Sequence, residues 1–338
     1  MGTYEGMTVE VVWDTPGLNN FNYTALATDE LIQGYGGADT IYGNALDNYI
    51  FGDQRGDRPD FDATADGADI LYGFGGDDVI DPGAGSGNYV NGGDDVDTLD
   101  YRFVTPGQTL TVDLKAGTAD AGSYGSTLVV NVENVYGTED GINLIHGDGM
   151  DNQIHGGAFG DRLYGRDGKD LLLGFDGNDV LRGGKHSDKL QGGEDNDKLF
   201  GGTGRDTLIG GAGNDTMKGE KGNDHMIGAR GKDRMYGGKD DDFIDGRKGR
   251  DVIIAGSGDD TLYGGEGSDK FVFNKYSEDN RIMDFAATDR IQIDSGAQSI
   301  FELKFTDTSG GLWVEFGSVS IFLKGLDLSD IGSGTFLF

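Results

Sequence analysis

Aspartate recurs every nine residues through the second half of the chain. Counted from Asp161 in steps of nine to Asp269, the repeats form about thirteen unbroken units that read Gly-Gly-x-Gly-x-Asp-x-U-x, where U is a large apolar residue. A fixed short period of this kind is the signature of stacked structural repeats. The aspartates in phase are Asp161, Asp170, Asp179, Asp188, Asp197, Asp206, Asp215, Asp224, Asp233, Asp242, Asp251, Asp260 and Asp269.

Such a spacing can bind metal if the repeats stack. Carboxylates one strand spacing apart, roughly 4.8 Å, repel one another unless a cation lies between them. With hard divalent ions between the turns, the carboxylates and turn carbonyls form an all-oxygen cage of the kind that Ca²⁺ prefers. The four histidines do not repeat in phase and the chain has no cysteine, so nitrogen and thiolate ligands are excluded from this role.

Each unit divides into a six-residue turn, Gly-Gly-x-Gly-x-Asp, and a three-residue strand, x-U-x. Glycine permits the positive φ angles that the turn needs, and the apolar residue U of each strand points inward while its neighbours point outward. The predicted inward column is Leu163, Leu172, Leu181, Leu190, Leu199, Leu208, Met217, Met226, Met235, Ile244, Ile253, Leu262 and Phe271. The fourth position is Gly in most units, but it is Phe159, His186, Asp195 and Asp240 in four of them. Because Phe tolerates left-handed backbone poorly, we expect the turn at Phe159 to be the least regular.

Looser units precede the strict ones and add candidate ligands. In the region 34–100 the phased carboxylates are Asp39, Asp69, Asp78 and Asp97. An acidic insertion from Gly52 to Asp66 contains Asp60 and Asp62 as well. A solvated loop is the favoured interpretation of the insertion, and a further ion site is the alternative.

Composition agrees with a cation partner. The 338 residues include 63 glycines and carry a formal net charge of −33. A chain so rich in Gly loses much backbone entropy on folding and buries little apolar surface in return, so a hydrophobic core alone is not expected to stabilise it. The acidity excludes general electrostatic binding of nucleic acid and favours a multivalent cation.

Five regions follow from the shifts in pattern. We predict an N-terminal cap over 1–33, an irregular first β-roll with the acidic loop over 34–100, and an antiparallel strand insert over 101–137. The main roll is predicted over 138–272 and a capping domain of alternating strands over 273–338. The fold class is therefore all-β: a parallel β-roll, or calcium-loaded β-helix, with a strand insert and a C-terminal β-sandwich cap.

The repeat resembles the calcium-binding nonapeptide of RTX (repeats-in-toxin, hemolysin-type) proteins. The resemblance implies two nonapeptides per coil of a parallel β-roll, with each Ca²⁺ between the turns of repeats n and n+2, or about eleven shared sites in the strict region. The tail, with Gly264 to Phe273, Arg281 to Phe285 and Asp289 to Asp294, resembles the C-terminal domain of serralysin-type proteins. That resemblance implies a cap that carries an uncleaved signal for the type I secretion machinery; an ordinary cap without an export role is the alternative.

The N-terminus fits that route, because no basic stretch followed by an apolar run marks a cleaved signal peptide. No segment approaches the roughly 18 apolar residues of a membrane span. We therefore expect a secreted, extracellular protein, associated with the cell surface in one version of this hypothesis.

Catalytic motifs are missing. None of the four histidines begins a His-Glu-x-x-His motif, and no Gly-x-Ser-x-Gly occurs. We expect no enzyme; Asp113, Asp120 and Glu133 are the only acids to nominate for a glycan-acting site, and solvation is their favoured role.

The function predicted is that of a secreted protein that folds on Ca²⁺ binding and has a structural, surface or matrix role. The alternative is the export module of an extracellular hydrolase, a protease, lipase or glycan-modifying enzyme, whose catalytic head lies elsewhere.

One predicted sheet face is basic and aromatic. If alternate repeats share a sheet, Arg182, Lys198, Phe200, Lys218 and Tyr236 all point outward on it. We hypothesise that this face binds acidic polysaccharide or the acidic turns of another copy of the chain. The simpler interpretation is that an exposed sheet carries charges to prevent association.

Overall fold

A computed structural model describes residues 2–4, 7–9, 31–34, 38–52, 67–103, 109–295, 297–332 and 334–338. The chain divides into two compact units, residues 1–166 and 167–338. Both are built almost entirely of short β-strands. The acidic insertion with Asp60, Asp62 and Asp66, and most of the predicted N-terminal cap, lie outside the described residues.

The first unit stacks its strands in parallel columns. Its strands are β1 (Gly2–Tyr4), β2 (Met7–Val9), β3 (Leu31–Gln33), β4 (Thr40–Tyr42), β5 (Tyr49–Phe51), β6 (Ile70–Phe74), β7 (Val79–Asp81), β8 (Asn88–Gly93), β9 (Thr98–Asp100), β10 (Thr109–Asp113), β11 (Thr118–Asp120), β12 (Ser126–Val130), β13 (Asn134–Tyr136), β14 (Ile142–His146), β15 (Gln153–Gly157) and β16 (Arg162–Asp167). A 3-10 helix spans Gly122–Tyr124. The parallel columns β4–β6–β8 and β5–β7–β9 bury the apolar residue at the middle or inward position of each strand, and β5 buries Phe51 in addition to Ile50.

The interval between β8 and β14 mixes two kinds of pairing. Strand β11 pairs antiparallel with both β10 and β12. Strand β12 also pairs in parallel with β8, and β10 pairs in parallel with β14. These three strands therefore share the ladder of the parallel strands on both sides.

The second unit continues the regular pattern. Its strands are β17 (Leu171–Phe175), β18 (Val180–Lys185), β19 (Lys189–Glu194), β20 (Lys198–Thr203), β21 (Thr207–Ala212), β22 (Thr216–Lys221), β23 (His225–Gly231), β24 (Arg234–Lys239), β25 (Phe243–Gly249), β26 (Val252–Ser257), β27 (Thr261–Tyr263), β28 (Glu266–Gly267), β29 (Lys270–Phe273), β30 (Asp279–Ile282), β31 (Arg290–Ile293), β32 (Lys304–Thr308), β33 (Gly311–Phe316), β34 (Val319–Lys324) and β35 (Phe336–Leu337). Short 3-10 helices span Ile300–Glu302 and Leu328–Asp330. No helix among the described residues is long and apolar enough to cross a membrane.

Alternate repeats share a sheet, as the period predicted. Strands β17, β19, β21, β23, β25 and β27 pair in parallel in one sheet, and β18, β20, β22, β24, β26 and β29 pair in parallel in the other. All thirteen residues of the predicted inward column are 0% exposed. The prediction of an all-β parallel solenoid with a thin apolar core is confirmed.

The strands are longer than the sequence predicted. The register of β18 with β20 includes Gly184 opposite Gly202 and Lys185 opposite Thr203, so most strands reach through the first half of the expected turn. This extension is compatible with a φ of 114° at Gly202 because glycine has no Cβ. Three residues per strand was therefore an underestimate.

Left-handed backbone is not restricted to glycine. At the fourth position His186, Asp195 and Asp240 adopt φ of 73–74°, whereas Phe159 is not among the described residues with positive φ. The expectation that Phe159 would depart from the regular turn is confirmed, because a bulky aromatic residue does not fit the left-handed region.

The second position also departs from glycine, which the sequence analysis missed. Phe175, Glu220 and Arg247 adopt φ of 78°, 77° and 69° there. Their φ lies nearer the left-handed helical minimum than that of the glycines at the same position. The stacked neighbours must hold these residues in a conformation that they disfavour alone.

The tail adds both parallel and antiparallel pairs. Strands β30 and β31 continue the two parallel sheets beyond β27 and β29, and β35 pairs in parallel with β31. Strands β32, β33 and β34 form an antiparallel set, of which β34 pairs in parallel with β30. Leu312, Val314, Ile321 and Leu323 fill its apolar interior.

Truncating one inward residue should weaken the calcium-loaded second unit. Leu199→Ala removes a fully buried side chain, and a cavity of that kind costs about 2–5 kcal/mol. We expect the denaturant midpoint, measured in saturating calcium, to fall accordingly. Lys198→Ala, at the exposed neighbouring position, is the control, and an unchanged midpoint for Leu199→Ala would contradict the assignment of the core.

Candidate calcium-binding turns

Each phased aspartate is buried at the end of a turn. The strict aspartates are at most 3% exposed, and the looser Asp39, Asp69, Asp78 and Asp97 are equally buried. Their burial follows from the strand alternation, because the aspartate lies two residues before the inward residue U and so shares its side of the chain. A column of acids inside a protein requires compensation for the lost hydration.

One oxygen of each aspartate is satisfied by the stack itself. The backbone N–H of Asp197 donates to Oδ1 of Asp215 at 2.9 Å, which joins two turns of the same sheet. The same bond recurs from the pair Asp170 and Asp188 to the pair Asp251 and Asp269. In this respect the carboxylates act as rungs that hold repeats n and n+2 together.

The other oxygen has no donor in eleven of these aspartates. Oδ2 is buried without a hydrogen-bond partner in Asp78, Asp97, Asp197, Asp206, Asp215, Asp224, Asp233, Asp242, Asp251, Asp260 and Asp269. Buried polar atoms in folded proteins are almost always paired, and an exception requires an explanation. The recurrence of the same unpaired atom at the same place in successive repeats, from Asp197 to Asp269, points to a cation as the missing partner.

Backbone oxygens converge on the same place. A Cβ added to Gly192 would collide with Oδ2 of Asp197 and lie 2.7 Å from the carbonyl oxygen of Gly210, two repeats later. Gly219 has the same relation to Asp224 and to the carbonyl of Gly237. Glycine at this position therefore leaves room for carboxylate and carbonyl oxygens to approach one another.

The ligand set is of the hard type. Within the part of the chain that the structure describes, no three His, Cys, Asp or Glu side chains gather into one group. Any ion held here must take much of its coordination from backbone carbonyls, with carboxylates contributed one per turn. That mixture suits Ca²⁺, which accepts six to eight oxygens in flexible geometry. The residues present therefore fit calcium. The geometry supports the all-oxygen sites predicted from the sequence, and the individual ligands stay a prediction.

Burial shifts the titration of these acids strongly. Desolvation raises the pKa of Asp197 and of Asp242 to about 8, and repulsion from neighbouring aspartates adds to the shift. The pKa of Asp215 rises to about 6 for the same first reason. In the absence of a cation the turns therefore favour protonated carboxyls at pH values where an exposed Asp is fully ionised.

In the first unit, the turns of Asp78 and Asp97 show the same geometry. The backbone N–H of Asn48 donates to Oδ1 of Asp78 at 2.7 Å, and that of Asp78 donates to Oδ1 of Asp97 at 2.9 Å. Burial raises the pKa of Asp78 to about 8 and that of Asp97 to about 7. The structure thus places these looser candidates in the same setting as the strict ones.

Other in-phase residues lack the second carboxylate oxygen. Asn48, Asn88, Asn143 and Asn152 occupy the aspartate position in the first unit and are at most 1% exposed, and Asn280 does so in the tail. The signal was visible, because Asn143 and Asn152 each precede an apolar strand residue in phase. No role was predicted for these asparagines.

One comparison with known proteins bears on this geometry. The model of the RTX calcium-binding nonapeptide repeat matches residues 24–54, 63–88, 146–174, 173–208, 200–235, 209–244 and 236–271, which together make up more than half of the chain. The chain belongs to this family. RTX repeats bind multiple Ca²⁺ ions, so the protein is a calcium-binding one.

Neither of the other comparisons extends this RTX assignment. No curated protein sequence matches the chain. Among solved structures, the extracellular lipase LipA from Serratia marcescens is similar at 16% identity and a TM-score of 0.24. That likeness covers 92% of this chain and 45% of the lipase, so the chain spans less than half the length of that protein.

Acidification should stabilise the RTX turns when calcium is absent. A carboxyl whose pKa is higher in the folded state than its ordinary 3.8 favours folding most at low pH, and that contribution is lost as the pH rises through the folded value, about 6 to 8 here. In calcium-depleted buffer we therefore expect more β-signal in far-UV circular dichroism at about pH 5 than at about pH 8. With calcium present the sign reverses, because the ion binds the ionised form and protons compete with it. A calcium-free signal that grows with rising pH would contradict this account.

Proposed function

We propose that the second unit is a module whose folding depends on calcium, and that each ion lies between turns n and n+2 of one sheet. The observation that carries the proposal is the row of buried Oδ2 atoms without a donor, from Asp197 to Asp269. Folding without the ion leaves these oxygens both desolvated and unpaired, which is costly. Binding and folding are then one process, as in other metal-dependent small repeats.

Secretion is the second part of the proposal. Extracellular calcium modules work at roughly 10⁻⁴–10⁻³ M, far above the calcium level of a cytosol. The acidic chain would stay unfolded inside the cell, pass through the type I secretion machinery, and fold outside where each ion bridges two rungs. RTX membership and the serralysin-like sequence pattern of the tail support this route. In the same proposal the strands over 109–130 form the insert and the tail of the second unit forms the cap.

We further propose a structural, surface or matrix role without catalysis. The three nominated acids have separate partners: Asp113 pairs with Arg166, Asp120 accepts from the N–H of Gly122, and Glu133 accepts from the N–H of Asp97. Each acid is thus engaged in local structure. The rival is an export module whose hydrolase head is encoded beyond Met1, and a catalytic domain found in the same reading frame would favour it.

A calcium titration tests the coupling directly. Without calcium, the far-UV circular dichroism spectrum should show the coil signal expected for an unfolded second unit. The β-sheet signal should rise steeply as calcium is added. Asp215→Asn replaces an unpaired carboxylate oxygen with an amide, so we expect the calcium midpoint to rise and the stoichiometry by calorimetry to fall by about one or two ions, since each carboxylate serves shared sites. Asp176→Asn makes the same charge change at an exposed turn residue and is the control. Spectra that do not respond to calcium would refute the proposal.

A basic and aromatic face supports a second function, binding of acidic polysaccharide. Arg182 lies 4.1 Å over the ring of Phe200, and Lys218 lies 5.7 Å from that ring and 5.3 Å from the ring of Tyr236. Arg234 approaches Tyr236 at 5.1 Å. The outward residues of β18, β20, β22 and β24 thus alternate cation and ring along one line, and each ring holds its cations in place.

The charge on this face is opposite to that of the chain. Lys185, Lys221 and Lys239 lie three residues further along the same strands and are exposed, and Lys185 pairs with Asp167. In a chain of net charge −33, a straight row with a cation on every second strand fits a linear polyanion that lies along the stack. Because the cations already cover the rings, we assign the binding to carboxylate pairing with Arg and Lys, and sugar stacking contributes less.

Reversing this charge should abolish polysaccharide binding. We expect Arg182→Glu combined with Lys218→Glu to reduce retention on immobilised polyuronate by at least about tenfold in calcium, since two charge pairs are lost and two repulsions are added. Arg230→Glu combined with Lys248→Glu, on β23 and β25 of the other sheet, is the matched control. Unchanged retention of this double variant would refute polysaccharide binding. If retention is unchanged but calcium-dependent light scattering is lost, the face mediates self-association instead.

A further inference from the structure

We infer that residues 134–166 of the first unit form a calcium-independent part of the fold, in which the chain's own donors fill the place that calcium takes elsewhere. The inference rests on the proposed function, because it contrasts these turns with the ones assigned to calcium. It goes beyond the family relation by separating two kinds of turn within one chain.

Asn143 shows most clearly how a side-chain amide takes the place of the ion. Its side-chain amide nitrogen donates to the carbonyl oxygen of Thr138 at 3.1 Å and to both carboxylate oxygens of Asp161 at 3.2 Å. Asp161 lies two repeats after Asn143, so the amide bridges the same pair of stacked turns that an ion would bridge. A neutral group thereby satisfies the oxygens that attract a cation in the second unit.

The orientation of that amide is fixed by its other side. The backbone N–H of Thr138 donates to Oδ1 of Asn143 at 2.8 Å, and an N–H group can donate only to the oxygen of an amide. The NH₂ group must therefore face the carbonyl and the carboxylate. Placing Oδ1 toward an ion would break this bond and leave a buried donor unpaired.

Asp161 is also satisfied without an ion. Its Oδ1 accepts from the backbone N–H of Asn143 at 2.7 Å, and its Oδ2 accepts from the backbone N–H of Gly157 at 2.7 Å. Phe159, which lies between Gly157 and Asp161 in this turn, is not among the described residues with positive φ. This strict aspartate therefore differs from Asp197 and its successors in the second unit.

The neighbouring turn is closed by two further donors. The amide nitrogen of Asn152 donates to the carbonyl of Glu133 at 2.8 Å. The guanidinium of Arg166 donates to the carbonyl of Gly147 at 2.6 Å and forms a two-armed ion pair with Asp113, both arms at 2.8 Å. An arginine cation thus takes a turn carbonyl that would otherwise be open to a metal.

The interval as a whole has no orphaned atom. Among the described residues from 134 to 166, every buried side-chain nitrogen and oxygen has a hydrogen-bond partner. Val135, Ile145, Ile154 and Leu163 are 0% exposed and provide the apolar column. This part of the fold therefore has an apolar column and leaves no buried side-chain donor or acceptor that needs calcium.

Hydrogen exchange of the full chain measures the difference. In calcium-depleted buffer we expect backbone amides in 134–166 to exchange at least about tenfold more slowly than those in 197–269, because only the first group keeps its structure. With calcium both segments should be protected. Equal, rapid exchange of both segments without calcium would overturn the inference. Protection of both without calcium would instead refute the proposed function and leave the completeness of 134–166 standing.

Asn143→Asp converts the closed turn into an open one. The new carboxylate faces that of Asp161, so we expect loss of protection in 134–166 without calcium, its return with calcium, and a gain of about one bound ion. Asn223→Asp adds the same charge at an exposed turn residue and should change neither quantity. Retained protection and unchanged stoichiometry in Asn143→Asp would contradict the bridging role. If Asn143→Asp does not fold even in calcium, Asn152→Asp repeats the test at the adjacent turn. The hydrogen-exchange pattern of the wild-type chain tests the inference independently of both variants.

Discussion

A buried carboxylate oxygen without a hydrogen-bond donor is the constraint on which the second unit depends. The apolar core supplies about one residue in nine, which is too little to offset the entropy of ordering so many glycines. The turns therefore have to contribute stability, yet on their own they oppose folding, as the pKa of about 8 at Asp197 shows. A divalent cation reverses the sign of that contribution, because it turns mutual repulsion and desolvation into coordination. Stability in this solenoid is thus located at the turns, while the strands mainly set the spacing between them.

That division of roles leaves the outward positions free. Because the inward residue, the glycines and the aspartate define the repeat, the residues on either side of U can vary with little effect on the stack. The two sheets use this freedom differently. One carries Arg182, Lys218 and Arg234 among aromatic rings, whereas the outward positions of the other include Ile209, Ile227 and Phe243. An acidic protein can therefore present a basic surface, provided that bound calcium offsets the charge of the turns behind it.

The period of the sequence predicted the repeat architecture well and its details poorly. Side-chain alternation in a strand is obligatory, so burial of Leu199 or Asp206 follows from phase alone. Strand length does not, because the ladder depends on whether a glycine at the second position can pair while its φ is near 114°, as at Gly202. The left-handed conformation of Phe175 was equally invisible, since it is imposed by neighbours two repeats away and opposes local preference. The asparagine turns were missed because a change from Asp to Asn preserves the phase and alters only which atoms need a partner.

That last difference changes how calcium dependence is distributed along the chain. The turn of Asp197 leaves one carboxylate oxygen without a donor and so fits an external cation, whereas the turn of Asn143 carries its own donor, which reaches Asp161 two repeats later. The amide gains a neutral hydrogen bond, which contributes only about 0.5–1.5 kcal/mol. An Asn turn therefore does not stabilise the stack more than a calcium-filled turn does. Its advantage is that it avoids the large desolvation of an unpaired charge when the ion is absent. A solenoid that mixes both turn types can therefore keep a short ordered stretch in low calcium and still make most of its length conditional on the ion.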